Sequence, residues 1–337
     1  MHVFVYEWVT GGGLVEEAGR IPESLFREGE AMVQAVAADF AALDGTRVSV
    51  TRDVRLDPLP EVESVEVHSE AHHRQVLQDL AAAADYAVVI APEFDGILTR
   101  MAAAVRETST TLLGPSDALV RAASNKQRTA ELLVDAGVPT PPAVLFPADG
   151  ERLPDGFDYP GVLKPLDGAG SQHTLLVEGP GDEPPPYPWP RRLERYIPGT
   201  PASVACIAGP AGRCFLRTCL QDLSPDGRFT YRGGRVLADG PLHRRAAMLA
   251  ERALDALPPA AGYVGVDLVL GEEPDGRGDC VIEVNPRFTT SYIGLRAATR
   301  DNLAAALVQA SRGELPAPEF SDLEIAFTAD GVATLAR

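Results

Sequence analysis

The sequence has little of what would mark a membrane, secreted or nucleic-acid-binding protein. None of its 337 residues belongs to an apolar run that approaches the ~20 residues of a membrane-spanning helix. It has four cysteines, none in a Cys-x-x-Cys pair, so neither a disulfide framework nor a cysteine metal site is indicated. The 30 basic residues are outnumbered by 48 acidic ones, and the net charge of −18 argues against a nucleic-acid partner. We therefore expect a reduced, cytoplasmic protein that binds neither nucleic acid nor membrane.

Two signals are also missing near the N-terminus. The first strand carries Glu7 and has no basic flank, so we expect no signal peptide. The glycines that follow it, in Thr10-Gly11-Gly12-Gly13, lack the GxGxxG spacing of a dinucleotide-binding loop. These four residues are interpreted either as part of a substrate pocket, with Glu7 attracting an ammonium group, or as a turn without a ligand. An oxidoreductase that binds a dinucleotide there is an alternative.

The chain divides into three predicted units. Residues 1–115 alternate strand and helix patterns, which predicts a parallel sheet with helices on its faces. Residues 116–194 contain two short helices, then two strands joined by a glycine-rich loop, and form a predicted small lobe. Residues 195–337 contain longer paired strands and helices and form a predicted large lobe. The proline-rich stretch 178–190 predicts an irregular surface loop.

The last two paired strands carry the strongest chemical signal. Glu283 and Asn285 in "VIEVNPRF" alternate along a strand, so their side chains share one face. A neighbouring strand, "GYVGVDLVL", can bring Asp267 onto that face. Two carboxylates and an amide oxygen among apolar neighbours suit Mg²⁺, with Mn²⁺ as the alternative ion. Without a metal, Glu-x-Asn would be read as an exposed strand face.

Lysines and glycines suggest a phosphate site. Lys164 precedes the glycine-rich "PLDGAGSQ", and Lys126 lies at the start of a helix. Backbone N–H groups of such a loop and lysine ammonium groups can converge on one anion. Glu194, in "LERYIPG", can accept a hydrogen bond from an adenine amino group or a ribose hydroxyl. Taken singly, the loop can be an ordinary hairpin turn and Glu194 a solvated strand residue.

In this order and spacing, the motifs of residues 116–312 resemble the ATP-grasp superfamily. The resemblance implies an α/β (α+β ATP-grasp) fold, in which an N-terminal parallel α/β domain precedes a two-lobed ATP-grasp unit whose small lobe is a lid. It also implies ATP as cofactor and an ADP-forming ligase that joins a carboxylate to an amine through an acyl phosphate. The residues carried over are Lys126 and Lys164 for the phosphates, Asp167, Gly168, Ala169, Gly170 and Ser171 for the closing loop, Glu194, Arg195, Tyr196 and Ile197 for the adenine hinge, Asp267, Glu283 and Asn285 for the metal, and Arg287 for the acyl phosphate. Catalysis is assigned to Arg287 and Lys164. Pro201 stands where many members carry a glutamate, which puts a ribose contact from that position in doubt.

Nearly the whole chain resembles the tyramine–L-glutamate ligase family of methanofuran-type (methylofuran) cofactor biosynthesis. The segments that carry this similarity are "YEWVTGGGL", "IAPEFDGIL", "KPLDGAGS", "YRGGRV" and "EVNPRFTTSYIGL". It implies that the side-chain carboxylate of glutamate is phosphorylated and then attacked by the amine of tyramine. Candidates for the α-carboxylate of glutamate are Arg287, Thr289, Thr290 and Ser291, although those after Arg287 could equally be helix-start caps. Candidates for an aromatic slot are Tyr6, Trp8, Tyr231 and Tyr292, of which at least two are expected to pack in the core.

Other functions stay open on the sequence alone. The ATP-grasp residues would equally serve a ligase that joins another amino acid and amine. A catalytically silent ATP-binding protein is a further alternative, although it would not need the complete set of predicted metal and phosphate residues. The amine substrate must lose a proton, and no residue stands out as its base. The sequence also leaves open whether the protein forms a homodimer.

Overall fold

Five parallel strands form the first sheet, as the alternating pattern of the first 115 residues predicts. The structure, a computed structural model, describes residues 1–17, 21, 23–148, 150, 152–168 and 170–336. The elements of this domain are β1 (His2–Glu7), β2 (Arg47–Asp53), β3 (Glu63–Val67), β4 (Tyr86–Ile90), β5 (Thr111–Leu112), α1 (Glu23–Ala41), α2 (Glu70–Ala83) and α3 (Ile97–Arg106). The strand order is β3-β2-β1-β4-β5, and all neighbours are parallel.

The central strand β1 is buried along its whole length because helices cover both faces of the sheet. Val3 and Val5 point to the face covered by α1. Phe4 and Tyr6 point to the opposite face, where α2 and α3 pack. This alternation has the two-residue period of a strand.

A small antiparallel sheet follows, in the segment predicted as the small lobe. Its elements are α4 (Asp117–Ala123), α5 (Lys126–Asp135), β6 (Ala143–Phe146), β7 (Gly161–Pro165), β8 (Leu175–Val177) and β9 (Arg191–Arg195), in the strand order β6-β9-β7-β8. Ser116 and Asn125 cap α4 and α5 by accepting hydrogen bonds from backbone N–H groups of the first helical turn. The proline-rich stretch 178–190 contains neither helix nor strand, as predicted.

Seven antiparallel strands form the third sheet. Its elements are β10 (Thr200–Gly209), β11 (Gly212–Leu223), β12 (Tyr231–Val236), α6 (Pro241–Asp255), β13 (Gly262–Leu270), β14 (Cys280–Asn285), α7 (Ser291–Ala298), α8 (Leu303–Ser311), β15 (Ile325–Thr328) and β16 (Ala333–Leu335). The order is β14-β13-β10-β11-β12-β15-β16. The fold class expected from the sequence, a parallel α/β domain followed by a two-lobed unit, is confirmed.

The apolar cores show which parts of the chain are packed together. One core joins α1 and the first sheet to α7, α8 and one face of the seven-stranded sheet. A second core, on the other face of that sheet, includes α6 and also Leu119 of α4 and Leu133 of α5. Helices α4 and α5, which we assigned to the small lobe, thus pack on the large sheet. The four-stranded sheet has a separate core, which in the described part of the chain contains five buried apolar residues.

Among the described residues, no helix combines the length and the apolar character required to cross a bilayer.

Candidate active site

An open cavity lies between the four-stranded and seven-stranded sheets. Strands β7 and β9 line one wall, strands β10–β14 line the other, and α1 and α5 each contribute one side chain. The empty space, counted to its open mouth, is about 1450 Å³. The cavity brings together most of the predicted site residues, which are Lys126, Lys164, Asp167, Gly168, Gly170, Ser171, Glu194, Arg195, Tyr196, Ile197, Asp267, Glu283, Asn285, Arg287, Thr289, Thr290 and Ser291. Ala169, also predicted, lies outside the described residues.

Both predicted phosphate lysines have carboxylate partners in the cavity. The Lys164 Nζ atom lies 2.7 Å from Glu194 Oε2, and both side chains are buried. Lys126 Nζ lies 3.0 Å from Glu283 Oε2 and donates a 3.0 Å hydrogen bond to the carbonyl of Gly168. Burial by itself lowers the pKa of Lys126. The charges of neighbouring carboxylates, above all Glu283, outweigh burial and raise the pKa of Lys126 above its ordinary value. Lys126 and Lys164 thus both line the cavity, each beside a carboxylate.

The glycine-rich loop after β7 is fixed at two points. The backbone N–H of Lys126 donates to the carbonyl of Leu166 at 2.7 Å. The backbone N–H of Asp95 donates to Asp167 Oδ2 at 3.1 Å. Gly168 and Gly170 have φ angles of 140° and 66°, conformations that glycine adopts without strain. The loop therefore connects the lysine end of the cavity to the first domain.

Glu194, the predicted adenine acceptor, is a buried partner of two cations. Its Oε2 atom pairs with Lys164, and its Oε1 atom accepts a 2.7 Å hydrogen bond from Arg192 Nε. The geometry gives Glu194 the role of positioning Lys164. Tyr196, which follows it, lines the cavity mouth and stacks on Phe229 with 6.3 Å between ring centroids.

The predicted metal ligands converge on one face of the large sheet. Asp267 of β13 is paired with Glu283 of β14, and Asn285 Nδ2 donates to Asp267 Oδ2 at 2.9 Å. Burial and the adjacent Glu283 carboxylate raise the pKa of Asp267 to about 7. Burial by itself raises the pKa of Glu283, but the positive charges of Lys126 and Lys164 outweigh burial and lower that pKa to about 2. The sequence did not single out Gln221, whose Nε2 donates to Asp267 Oδ1 at 3.0 Å.

This arrangement fits a divalent cation. Asp267 and Glu283 are too close to be ionised together without a positive partner, and a metal would supply more charge there than Lys126 does. Two carboxylates and an amide suit a hard cation that completes its shell with water and phosphate oxygens. The site has only two carboxylates, its third candidate ligand being an amide. In the described part of the chain, no group of three or more His, Cys, Asp or Glu side chains is placed to hold a metal.

Arg287 lies between the metal ligands and the first domain. Its Nε atom is 2.8 Å from Oε1 of Glu93, and both side chains are largely buried. Burial works against its charge, but Glu93, Glu283 and Glu28 outweigh that effect and raise the pKa of Arg287. Glu93 belongs to the "IAPEFDGIL" segment after β4. In the sequence, this segment carries only the family resemblance, and Glu93 has no predicted role.

The triple glycine does not line the cavity. Val9–Gly13 form one π-helical turn, and Gly12 has a φ angle of 101°. A Cβ atom at Gly12 would lie 2.6 Å from Cγ1 of Val67. Both oxygens of Glu7 accept hydrogen bonds within the turn, from the N–H groups of Val9 and Thr10 and the Thr10 hydroxyl. Of our two interpretations of Thr10, Gly11, Gly12 and Gly13, the structure favours the turn, and Glu7 stabilises it.

Most of the predicted aromatic candidates pack elsewhere. Tyr6 is fully buried and hydrogen-bonds His73, and Tyr292 is buried and donates to Asp39 Oδ2 at 2.6 Å. Trp8 packs edge-on against Phe94 outside the cavity lining. Tyr231 of β12 is the candidate that lines the cavity.

Comparison with known proteins agrees with this geometry. Sequence models of the ATP-grasp domain and the pre ATP-grasp 3 domain match residues 123–291 and 46–120. The tyramine–L-glutamate ligase of Methanocaldococcus jannaschii is 24% identical over 320 residues, 93% of this chain and 90% of that protein. Its namesake from Methanocaldococcus fervens is 23% identical over 316 residues, 93% and 94% of the two chains. The structure of an ATP-grasp superfamily protein from Archaeoglobus fulgidus gives a TM-score of 0.72 at 22% identity, covering 97% of this chain and 92% of that one.

ATP-grasp enzymes use ATP and divalent metal ions, and the cavity offers residues suited to both. The chain belongs to the ATP-grasp family, and the predicted class of enzyme, an ADP-forming ligase of carbon–nitrogen bonds, is confirmed.

Proposed function

We propose that the protein joins the side-chain carboxylate of L-glutamate to the amine of tyramine, with ATP and Mg²⁺. One observation carries the proposal. A single cavity is lined both by the lysines and carboxylates expected of an ATP site and by Arg287, Thr289 and Tyr231. The two tyramine–L-glutamate ligases that resemble this chain do so over 93% of its length. In this proposal the product is an intermediate of a methanofuran-type cofactor.

The nucleotide would occupy the end of the cavity that the small sheet covers. Lys126 and Lys164 face the phosphates, and the backbone of the glycine-rich loop lies above them. The segment from Arg195 to Ile197 lies at the mouth, where the base would sit. Asp267, Glu283 and Asn285 would hold Mg²⁺, which when bound neutralises phosphate charge.

The reaction would proceed in two transfers. First, a glutamate carboxylate oxygen attacks the γ-phosphorus of ATP, the bond to the bridging oxygen breaks, and ADP leaves. Next, the tyramine ammonium group loses one proton to solvent, the neutral nitrogen attacks the acyl carbon, phosphate leaves, and the nitrogen releases a second proton to solvent. Lys164 and Arg287 stabilise the negative charge that the first transfer spreads over phosphate oxygens. The closed loop keeps water away from the acyl phosphate.

The acid would bind beside Arg287. Its guanidinium group is positioned by Glu93, which pairs with Nε, and by the carbonyl of Phe288, which accepts a 3.0 Å hydrogen bond from Nη1. The guanidinium N–H groups outside these two contacts would donate to an anion. The hydroxyl groups of Thr289 and Ser291 hydrogen-bond each other at 2.8 Å in the cavity wall, which leaves one of the two protons to donate to a carboxylate. These groups support binding of an amino acid with two carboxylates, such as glutamate.

The test is ADP release from Mg-ATP with L-glutamate, with tyramine, with both and with neither, followed by mass analysis of the products. We expect release that requires both substrates and a product with the mass of γ-glutamyltyramine. Activity only with another acid and amine from a small panel would replace the substrates but keep the ligase. Nucleotide binding without turnover on any pair would indicate a silent ATP-binding protein.

A further inference from the structure

Glu28 is a cavity carboxylate that the sequence did not single out. It lies on α1, in the first domain, and its side chain reaches the cavity wall. Its Oε2 atom accepts a hydrogen bond from the Thr290 hydroxyl at 3.5 Å, the long limit for such a bond. Within the described ranges, Glu28 has no cation within 4.0 Å, whereas Glu93, Glu194 and Glu283 each pair with one. Its charge is therefore the least compensated of these four carboxylates.

Glu28 contacts the segment that follows Arg287. Thr290 follows Arg287 by three residues, in the segment that leads into α7. Burial raises the pKa of Glu28, and the nearby charge of Arg287 partly offsets that effect. Glu28, Thr290 and Arg287 line the same cavity, so a group bound by Glu28 would lie in the cavity that holds Arg287.

Tyr231 lines the same cavity as Glu28. It is on β12, lines the cavity, and is partly buried. Burial raises its pKa, and neighbouring groups that include Asp267 and Glu28 add to the shift. A carboxylate, a hydroxyl and an aromatic ring at one place match an ammonium group on a short chain, because the carboxylate pairs with the charge and the ring face attracts it.

We propose that Glu28 and Thr290, with Tyr231 beside them, form the subsite that binds the ammonium group of the amine substrate. This inference rests on the proposed function, since it requires an acid and an amine that meet at Arg287. The same negative charge would repel a second carboxylate, so the subsite also excludes glutamate from the amine position. Thr290, which the sequence suggested as an acid-binding residue, is reassigned to the amine.

The subsite is tested with the full-length Glu28→Gln variant, which keeps the shape of the side chain and removes its charge. Loss of one charged hydrogen bond predicts a rise of at least about tenfold in KM for tyramine. KM for ATP and for glutamate should not change. Glu30→Gln is the matched control, since Glu30 lies two residues along the same helix and is not part of the cavity lining.

A second readout isolates the charge. The alcohol 4-(2-hydroxyethyl)phenol has the ring of tyramine without its ammonium group, and its affinity can be measured by inhibition. Wild-type protein should bind tyramine more tightly than this alcohol, and Glu28→Gln should lose that preference. A role of Glu28 in the fold alone would weaken both compounds equally. If Glu28→Gln does not fold, Thr290→Val should reduce the same preference, because it removes the hydroxyl that holds the carboxylate.

Three results would overturn the inference while leaving the proposed function in place. These are an unchanged KM for tyramine in Glu28→Gln, an increase confined to KM for glutamate, and an unchanged preference for tyramine over the alcohol. Failure of the proposed function looks different, because the wild-type protein then makes no γ-glutamyltyramine. The subsite is in that case tested with the amine that the panel identifies and with the alcohol of the same shape.

Discussion

Asp267 and Glu283 are cross-strand partners whose carboxylates share one small space. The proximity that makes them suitable for a cation also makes them repel each other without one. Gln221 and Asn285 each donate a hydrogen bond to Asp267 and hold it in place. These residues are therefore expected to contribute to activity and little to stability.

We predict that Asp267→Asn reduces ADP formation by about a hundredfold or more, because loss of even an outer partner of a metal ligand costs 10–100-fold. Its melting temperature in the absence of divalent ions should stay the same or rise, since one repulsive charge is removed. Turnover with Mg-ATP measures the loss of ADP formation, and thermal unfolding measures the melting temperature. Glu272→Gln, an exposed carboxylate in the loop between the same strands, should change neither. Normal turnover in Asp267→Asn would refute the metal assignment.

At the scale of elements, helices and strands with a clear apolar period could be predicted from the sequence, and those with mixed polar and apolar residues could not. Strands β1, β13 and β14 and helix α6 follow from runs of apolar residues with clear periods. Strand β3, "ESVEV", has a polar half and gave no prediction. Strand β12, "YRGGRV", and helix α7, which begins at Ser291, were likewise missed, because glycine-rich and Thr/Ser-rich stretches favour turns and caps.

The site residues also divide into those that a local motif predicts and those that no local pattern indicates. The metal ligands and Lys164 were predicted because each lies in a short motif on a strand. Glu28, Glu93 and Gln221 were missed because tertiary packing, and no local pattern, brings them to the cavity region.

The turn after β1 allows a prediction about a whole element. Gly12 combines a positive φ angle with close packing against Val67, so Gly12→Ala should lower the free energy of unfolding by about 2 to 4 kcal/mol. KM for ATP and for glutamate should stay near the wild-type values, because the turn is not part of the cavity lining. Urea unfolding and steady-state kinetics measure the two effects.

Gly45→Ala is the control for this variant. Gly45 also has a positive φ angle, 66°, but nothing lies within 4 Å of a Cβ atom there. It should therefore show the backbone strain alone, and the difference between the two variants reports the crowding at Val67. A Gly12→Ala protein of wild-type stability with a raised KM for one substrate would restore the interpretation of the triple glycine as a pocket.

The whole molecule consists of one large packed body and one small one. The first domain and the seven-stranded sheet share an apolar core, which includes Val5, Phe40 and Leu307. The four-stranded sheet has its own core and meets that body through polar contacts, such as Asp95 N–H to Asp167 and Lys126 to Gly168. A small core provides little protection against local opening, so the small sheet is expected to open more readily than the body.

Binding of nucleotide should reduce the difference in local opening between the small sheet and the large body. A ligand that contacts both sides of the cavity stabilises the closed arrangement by mass action. We predict that a non-hydrolysable ATP analogue with Mg²⁺ slows amide hydrogen exchange most in β7, β8, β9 and the glycine-rich loop, with little change in β1 and β4. Exchange followed by mass spectrometry measures this, with the analogue in chelator as the control. Protection spread evenly over both bodies, or strongest in the first sheet, would show that the cavity between the sheets is not where the nucleotide binds.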